Sequence, residues 1–327
     1  MDLLDRLRLD VPIAQAGMGG GLAGARLAGA VATAGALGTI GILPPAQLRI
    51  AIDEVRAQAP DRAVAVNLLM PFVRRRHIDV CVGGGVDVAV LFFGGDQQVV
   101  SALRDAGIFV LAQVGTDDEA RDALGWGADG LIAQGVEAGG HLRGTVRALD
   151  FLPRAIAIAG GRPVLLAGGI ATGADVRGAL DAGAAAVVAG TRFLMTNESG
   201  AHRGYKERLV DAETTVETTL FGLGWPARHR VLPNAATRRW CDADGRPRRL
   251  PSALNAWSGP LGRIVPSNND AVIRLQWPRV PMFSPLAPLE GMPDRCVEAG
   301  ALYAGESAVR IADVVSARDA VDLLAGR

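Results

Sequence analysis

The sequence predicts an α/β fold in which eight β/α units close into a parallel (β/α)8 barrel, with a mostly helical cap inserted after the eighth strand. Three observations carry this expectation. Between residues 11 and 195 short apolar runs alternate with helical stretches, the pattern of a parallel sheet with crossover helices. The runs are nearly continuous in Val, Ile, Leu and Ala, as strands buried on both faces are. After residue 200 the alternation stops, and a helical pattern resumes only from Gly300.

In chain order the strand-like runs are Pro12 to Ala16, Leu37 to Ile42, Ala63 to Leu68, Val86 to Phe92, Ile108 to Gln113, Gly130 to Gln134, Pro163 to Ala167 and Ala185 to Ala189. Helical segments such as Pro45 to Gln58, Asp117 to Trp126, Leu149 to Ala159 and Ala174 to Ala182 lie between them. A doubly wound open sheet is the competing fold. It would place a glycine-rich turn after the first strand and an acidic residue at the end of the second, for a ribose. Gly17-Met18-Gly19-Gly20-Gly21 supplies the glycines, but the second run ends in Ile40-Gly41-Ile42, without the acid. Residues Arg203 to Leu220 read as helical. The stretch 222–295 is rich in Pro, Arg, Asn and Trp, and holds Trp225, Trp240, Trp257 and Trp277. These tryptophans either line a substrate pocket or form the core of the cap, and the core is the expectation, because an insertion of that length needs buried aromatics. Ala317 to Ala325 reads as the helix that closes the barrel. The expected division is a barrel of residues 1–215 and 296–327 with a cap of residues 216–295.

Composition narrows the function. Apolar residues make up 49% of the 327, enough for a large core, and 34 basic residues balance 34 acidic ones. A nucleic-acid-binding surface would show a basic excess, so none is expected. The run Arg74-Arg75-Arg76 reads as a solvated helix start. Cys81, Cys241 and Cys296 lack metal-ligand spacing and are too few and too odd for a disulfide framework, which fits a reducing compartment. The first ten residues hold no signal-peptide core. The longest apolar stretch, Ala28 to Leu43, is broken by glycines at 29, 35, 38 and 41. A cytoplasmic protein without a membrane partner is the expectation.

In such a barrel the active site lies at the C-terminal strand ends, and the loops after strands seven and eight commonly hold a phosphate. Strand seven runs into Gly168-Gly169-Ile170-Ala171-Thr172-Gly173, and strand eight into Gly190-Thr191-Arg192. Glycines let backbone N–H groups approach phosphate oxygens, and Thr191 adds a hydroxyl donor. Two such turns together point to a phosphate-bearing ligand. Two ordinary tight turns are the plain alternative.

Strand six leads into Gln134-Gly135-Val136-Glu137-Ala138-Gly139-Gly140-His141. His141 follows a glycine pair at a strand end, where a side chain points at the pocket. An imidazole with an ordinary pKa of about 6.5 takes a proton or holds an anion near neutrality. Glu137 reads as a residue that orients the loop, with a second acid or base as the alternative, and His77, His202 and His229 read as structural. At the first strand end, Ala16, Gly17 and Met18 offer small residues and an adaptable thioether against which a flat ring system can lie. Asn67, Gln113 and Gln134, with Gln15, put four amide side chains on strand ends. Each either serves the edge of that ring system or holds a loop backbone.

These segments, with Ala34-Gly35-Ala36-Leu37-Gly38-Thr39-Ile40 and Leu302-Tyr303-Ala304-Gly305-Glu306-Ser307, resemble the nitronate monooxygenase family, formerly called 2-nitropropane dioxygenases, over residues 11–200 and 300–325. The resemblance implies a TIM barrel, non-covalently bound FMN, no metal, and oxidation of alkyl nitronates by O2. It implies a catalytic role for His141 and FMN contacts for Ala16, Gly17, Met18, Asn67, Gln134, Gly139, Gly140, Gly168, Gly169, Gly190 and Thr191. The Glu-Ala-Gly-Gly-His segment is also similar to one in FMN-dependent enoyl-ACP reductases, and quinone reductases share the barrel. An NAD(P)H-dependent reductase is therefore the alternative. A flavin-free phosphate-binding barrel and a non-catalytic flavin binder are the readings from other classes. The implied partners are a small molecule and O2, and the sequence is compatible with a homo-oligomer.

Overall fold

The computed structural model describes residues 3–258 and 270–327; residues 259–269 of the expected cap lie outside the described residues. Eight strands form one parallel sheet. They are β1 (Ile13–Gln15), β2 (Gly38–Ile40), β3 (Val64–Leu69), β4 (Val88–Phe92), β5 (Phe109–Val114), β6 (Gly130–Gln134), β7 (Val164–Ala167) and β8 (Ala186–Ala189). Neighbours follow chain order from β2 to β8, and β8 pairs with β1. The circle closes between β1 and β2 at the bridge Ala14–Leu37, where the Gln15 N–H donates to Leu37 O and the Leu37 N–H to Ile13 O, both at 2.9 Å. All eight expected strands are present; β6 keeps its expected bounds, β3 and β5 are shifted by one residue toward the C-terminus, and the other five are shortened because ladder bonds stop where the loops turn away.

Helices α1 (Ala25–Thr33), α2 (Pro45–Gln58), α3 (Arg75–Gly83), α4 (Gln97–Asp105), α5 (Asp117–Gly125), α6 (Ala148–Ala159) and α7 (Gly173–Asp181) cover the barrel, and α8 (Ala317–Ala325) completes the ring between α7 and α1. Their starts are set locally. Asp96 and Thr116 accept first-turn N–H groups, and Thr172 with Asp175 and Ser316 with Asp319 form capping boxes. Arg74 to Arg76 are exposed at the start of α3, as a solvated helix start should be.

The outer faces of the strands pack on the helices in one continuous apolar core. The barrel interior forms a second core, in which Leu3 and Leu7 of the short helix Leu3–Leu7 join Ala14, Leu37, Val88, Leu111 and Leu165. That helix plugs the N-terminal end and leaves the C-terminal strand ends as the open end.

Among the described residues the insertion carries the short helices Ala235–Trp240, Arg249–Trp257 and Asp270–Arg274, and Arg295–Ala299 begins at its end. It also contains a feature the sequence pattern does not announce. Strand Val216–Thr218 pairs antiparallel with His229–Val231, which pairs in turn with Gly140–His141 of the loop after β6. The Arg230 guanidinium reinforces this junction by donating to Val136 O at 2.9 and 3.1 Å. The expected tryptophan core is a correction. Leu220, Phe221, Val231 and Phe283 fill that core, while Trp257 is 85% and Trp277 53% exposed. Trp240 is half-buried at the edge, and Trp225 turns to the barrel mouth. Two phenylalanines and small neighbours already occupy the volume. Among the described residues no helix is long and apolar enough to cross a membrane, no group of metal-ligating side chains assembles, and the three cysteines are free and buried.

Candidate active site

A cavity of about 420 Å3 opens at the C-terminal strand ends. All twelve residues singled out as catalytic or cofactor-binding line it: Ala16, Gly17, Met18, Asn67, Gln134, Gly139, Gly140, His141, Gly168, Gly169, Gly190 and Thr191.

The floor is built from backbone. A Cβ on Gly17 would stand 2.3 Å from Asn67 Cβ, and one on Gly41 would stand 2.0 Å from Met18 O. Glycine is needed there because the first and second loops cross at contact distance. The Asn67 amide donates to Gly17 O at 2.9 Å, which holds the first loop and leaves Asn67 Oδ1 without a protein partner among the described residues. Both ends of the Gln15 amide hold backbone: Oε1 accepts from the Thr39 N–H at 3.0 Å and Nε2 donates to Ala16 O. So do both ends of Gln134. Its Nε2 donates to His141 O at 2.9 Å and its Oε1 accepts from the Arg143 N–H at 2.7 Å, so it clamps the loop that carries His141. Of the four amides, Gln113 alone makes no side-chain hydrogen bond among the described residues, and it faces the cavity.

The phosphate-type loops have the required form. Gly168 and Gly169 adopt φ of +126° and +75°, and the N–H groups of Gly168, Gly169 and Gly190 have no acceptor among the described residues. Thr191 Oγ1 accepts from the Gly305 N–H at 3.0 Å, so its own hydrogen remains available to donate. Glu137 is buried behind these glycines. Its carboxylate accepts the Ala148 N–H at 3.0 Å, at the start of α6, so it orients the loop. Unpartnered donors on a glycine cradle, beside a flat backbone floor, fit a ligand with a phosphate and a planar ring.

The roof is built from side chains. The His141 ring stacks on Trp225 with centroids 4.0 Å apart and planes 27° apart. His229 and Tyr303 each lie 5.3 Å away from it. Phe72 and Phe93 meet Trp225 edge-on at 5.2 and 4.8 Å. Phe93 takes a left-handed φ of 63°, rare for a residue with a Cβ, and is held there by Trp225 and by Arg143 over its ring at 5.1 Å. His141 Nε2 is buried and has no hydrogen-bond partner among the described residues. Burial, and after it the neighbouring His229, hold the His141 pKa well below 6.5. Burial pushes His229 down to about 4. The His229 Nδ1 donates to Ala227 O at 2.9 Å while its Nε2 accepts from the Phe221 N–H, which makes it a satisfied structural residue, as expected. His141 is therefore a neutral imidazole at pH 7. It can accept a proton or donate one hydrogen bond, but it presents no standing positive charge.

Sequence reasoning preferred the cap core for Trp225 and gave Tyr303 no role in the site, whereas Gln113, one of its four strand-end amides, does line the cavity. The glycines flanking Leu223 were an available signal, because Gly224 takes φ +81° to turn Trp225 inward.

Fold and site together define a (β/α)8-barrel enzyme with its reaction cavity at the C-terminal strand ends. The model of the nitronate monooxygenase family matches residues 2–72 and 58–326, and the chain belongs to that family of oxidoreductases. A (3aS,4S,5R,7aS)-5-hydroxy-7a-methyl-1-oxo-octahydro-1H-indene-4-carboxyl-CoA dehydrogenase of Mycobacterium tuberculosis is 33% identical over 98% of this chain and 93% of its own length. A nitronate monooxygenase of Pseudomonas aeruginosa is 40% identical over 42% of this chain and 41% of its own. Among solved structures, FabK from Thermotoga maritima superposes with a TM-score of 0.77 at 28% identity, covering 98% of this chain and 94% of that one. A nitroalkane oxidase from Streptomyces ansochromogenes gives 0.75 at 27% identity, covering 99% and 96%.

Proposed function

We propose that this chain is an FMN-dependent oxidoreductase that oxidises alkyl nitronates with O2. The observation that carries the reading is His141, whose buried Nε2 lacks a protein partner above a glycine cradle suited to a phosphate. FMN, when bound, supplies the electron-transfer chemistry. The protein's own groups bind, orient and dehydrate. The N–H groups of Gly168, Gly169 and Gly190 and the Thr191 hydroxyl hold the phosphate. Ala16, Gly17 and Met18 form the floor for the ring, with Asn67 Oδ1 and the Gln113 amide at its edge. Gly139 lets the Ala304–Gly305 segment approach, Gly140 turns the loop at a left-handed φ of +72°, and Gln134 holds that loop from the cavity wall, where its second Nε2 hydrogen can serve the cofactor. His141 takes the α-proton of a neutral nitroalkane at Nε2 or donates a hydrogen bond to a nitronate oxygen. Trp225 fixes its ring plane, and Phe72 and Phe93 keep water away.

A second reading has a specific observation behind it. The relative that matches nearly end to end is named for a CoA ester, so a dehydrogenase or NAD(P)H-dependent reductase acting on a thioester competes. One measurement separates the two. The FMN-loaded protein is mixed anaerobically with propionate 3-nitronate, and separately with NADH and NADPH, while the flavin absorbance is followed. Bleaching by the nitronate alone is expected. Fast bleaching by a nicotinamide alone would transfer the protein to the second reading with its barrel and cavity intact.

A further inference from the structure

The insertion is basic in a chain that is neutral overall. Residues 216–295 hold eleven arginines against six acidic residues, while the whole chain balances at 34 each. Part of this charge gathers around one turn, residues 277–280, closed by the Val280 N–H donating to Trp277 O at 3.0 Å. The Arg239 guanidinium lies 5.4 Å over Trp240, and Trp240 Nε1 donates to Pro278 O in that turn at 2.8 Å. The Arg295 guanidinium lies 5.3 Å over Trp277 and donates to Arg274 O at 3.2 Å. Arg279 sits in the turn itself. All four arginines are exposed, and none meets a carboxylate within 4.0 Å among the described residues, although Arg228, Arg230, Arg238 and Arg246 of the same insertion do. Burial pushes the Cys296 thiol up, and Arg295 and then Arg274 oppose it, so both cations act on one neighbourhood.

The turn stands close to the reaction cavity along the chain. Val272 before it and Ser284, Pro285, Leu286 and Ala287 after it line that cavity. Guanidiniums recognise phosphate groups, and an exposed indole offers a face for a nucleobase.

We propose that the Arg239–Arg274–Arg279–Arg295 cluster with Trp277 binds the phosphorylated adenosine end of a long reactant whose other end enters the cavity. Two reactants carry that chemistry: a coenzyme A thioester, with its adenosine 3′,5′-bisphosphate, and NADPH, with its adenosine 2′-phosphate. The inference rests on the cavity being the reaction site, but its test reads binding without turnover.

Calorimetric titration of the full chain with adenosine 3′,5′-bisphosphate, adenosine 2′,5′-bisphosphate and inorganic phosphate decides the matter. At least one bisphosphate is expected to bind at least about ten-fold more tightly than phosphate and to weaken as salt is raised. The tighter of the two identifies the source, thioester or nicotinamide. Arg274→Glu with Arg295→Glu is expected to weaken that binding at least about ten-fold, and the double Gln variant to weaken it less, with nitronate turnover unchanged in both. Absence of binding by either bisphosphate, phosphate binding as tightly, or affinity untouched by the charge reversal would each overturn the proposal. A loss of nitronate activity in the native chain would instead strike the function proposed above and leave this site standing.

Discussion

The floor and the roof of the cavity are held by different physics. The floor is main chain held at close approach: Gly41 against the Met18 backbone, Gly17 against the Asn67 and Thr39 side chains, and Gln15 and Gln134 with their amides on loop backbone. The roof is ring against ring, with Trp225, His229, Tyr303 and Phe93 gathered around His141. A floor made of backbone tolerates no added atom, but needs few particular side chains. A roof made of side chains sets the protonation and orientation of His141, the one histidine among the described residues that lines the cavity. The fold thus separates a glycine-built floor from a roof that carries the titratable ring.

The largest expected effect falls on the roof. His141→Ala should lower nitronate turnover by about 10^3-fold, the scale of a lost proton-transfer group, and should lower the urea midpoint as well, because the ring packs against Trp225, Phe93, His229 and Tyr303. Steady-state rates on FMN-loaded enzyme check it, and full turnover in the variant would move the chemistry elsewhere.

Next comes the effect of pH on the roof. His229 has a folded pKa of about 4, against about 6.5 in the unfolded chain. Below 6.5 the unfolded state takes up the proton first. The stability is therefore whole above pH 6.5 and is lost as pH falls toward 4, by about 3 kcal/mol in all. His141 adds to the loss in the same direction. Denaturation midpoints at pH 7 and pH 4.5 check this, and a flat profile would mean that the two rings stay hydrated in the folded state.

The floor is sharpened by a pair of glycines. Gly41→Ala would place its Cβ 2.0 Å from the Met18 carbonyl and should cost about 3 kcal/mol, the upper end for overpacking. Gly178, exposed in α7, has open space where a Cβ would go. Gly178→Ala should therefore stabilise the protein by about 0.5–1 kcal/mol through helix propensity. Melting curves of the two variants should move in opposite directions. If both fell alike, close approach would not be what the floor glycines are for.

The same contrast explains what was legible. The barrel strands read as apolar runs because each is buried on both faces over consecutive residues. The cradle glycines read as motifs because a turn is made by neighbours in the chain. His141 was legible for the same reason, standing two glycines beyond a strand end. The loop-holding use of Gln134 was open until its two partners were seen, since an amide at a strand end serves a loop or a ligand equally well. The cap tryptophans misled, because burial of an aromatic depends on whether another ring already fills the space. Phe221 and Phe283 fill it.

By itself, then, the sequence determined the eight-fold β/α order, the open end of the barrel and the glycine loops, because periodicity and turn chemistry act over a few residues. Only the tertiary structure decided that strand His229–Val231 pairs with Gly140–His141, that Trp225 stacks on His141, and that this histidine is neutral. Those facts depend on burial and on contacts between residues some eighty or more positions apart in the chain, which no local pattern encodes.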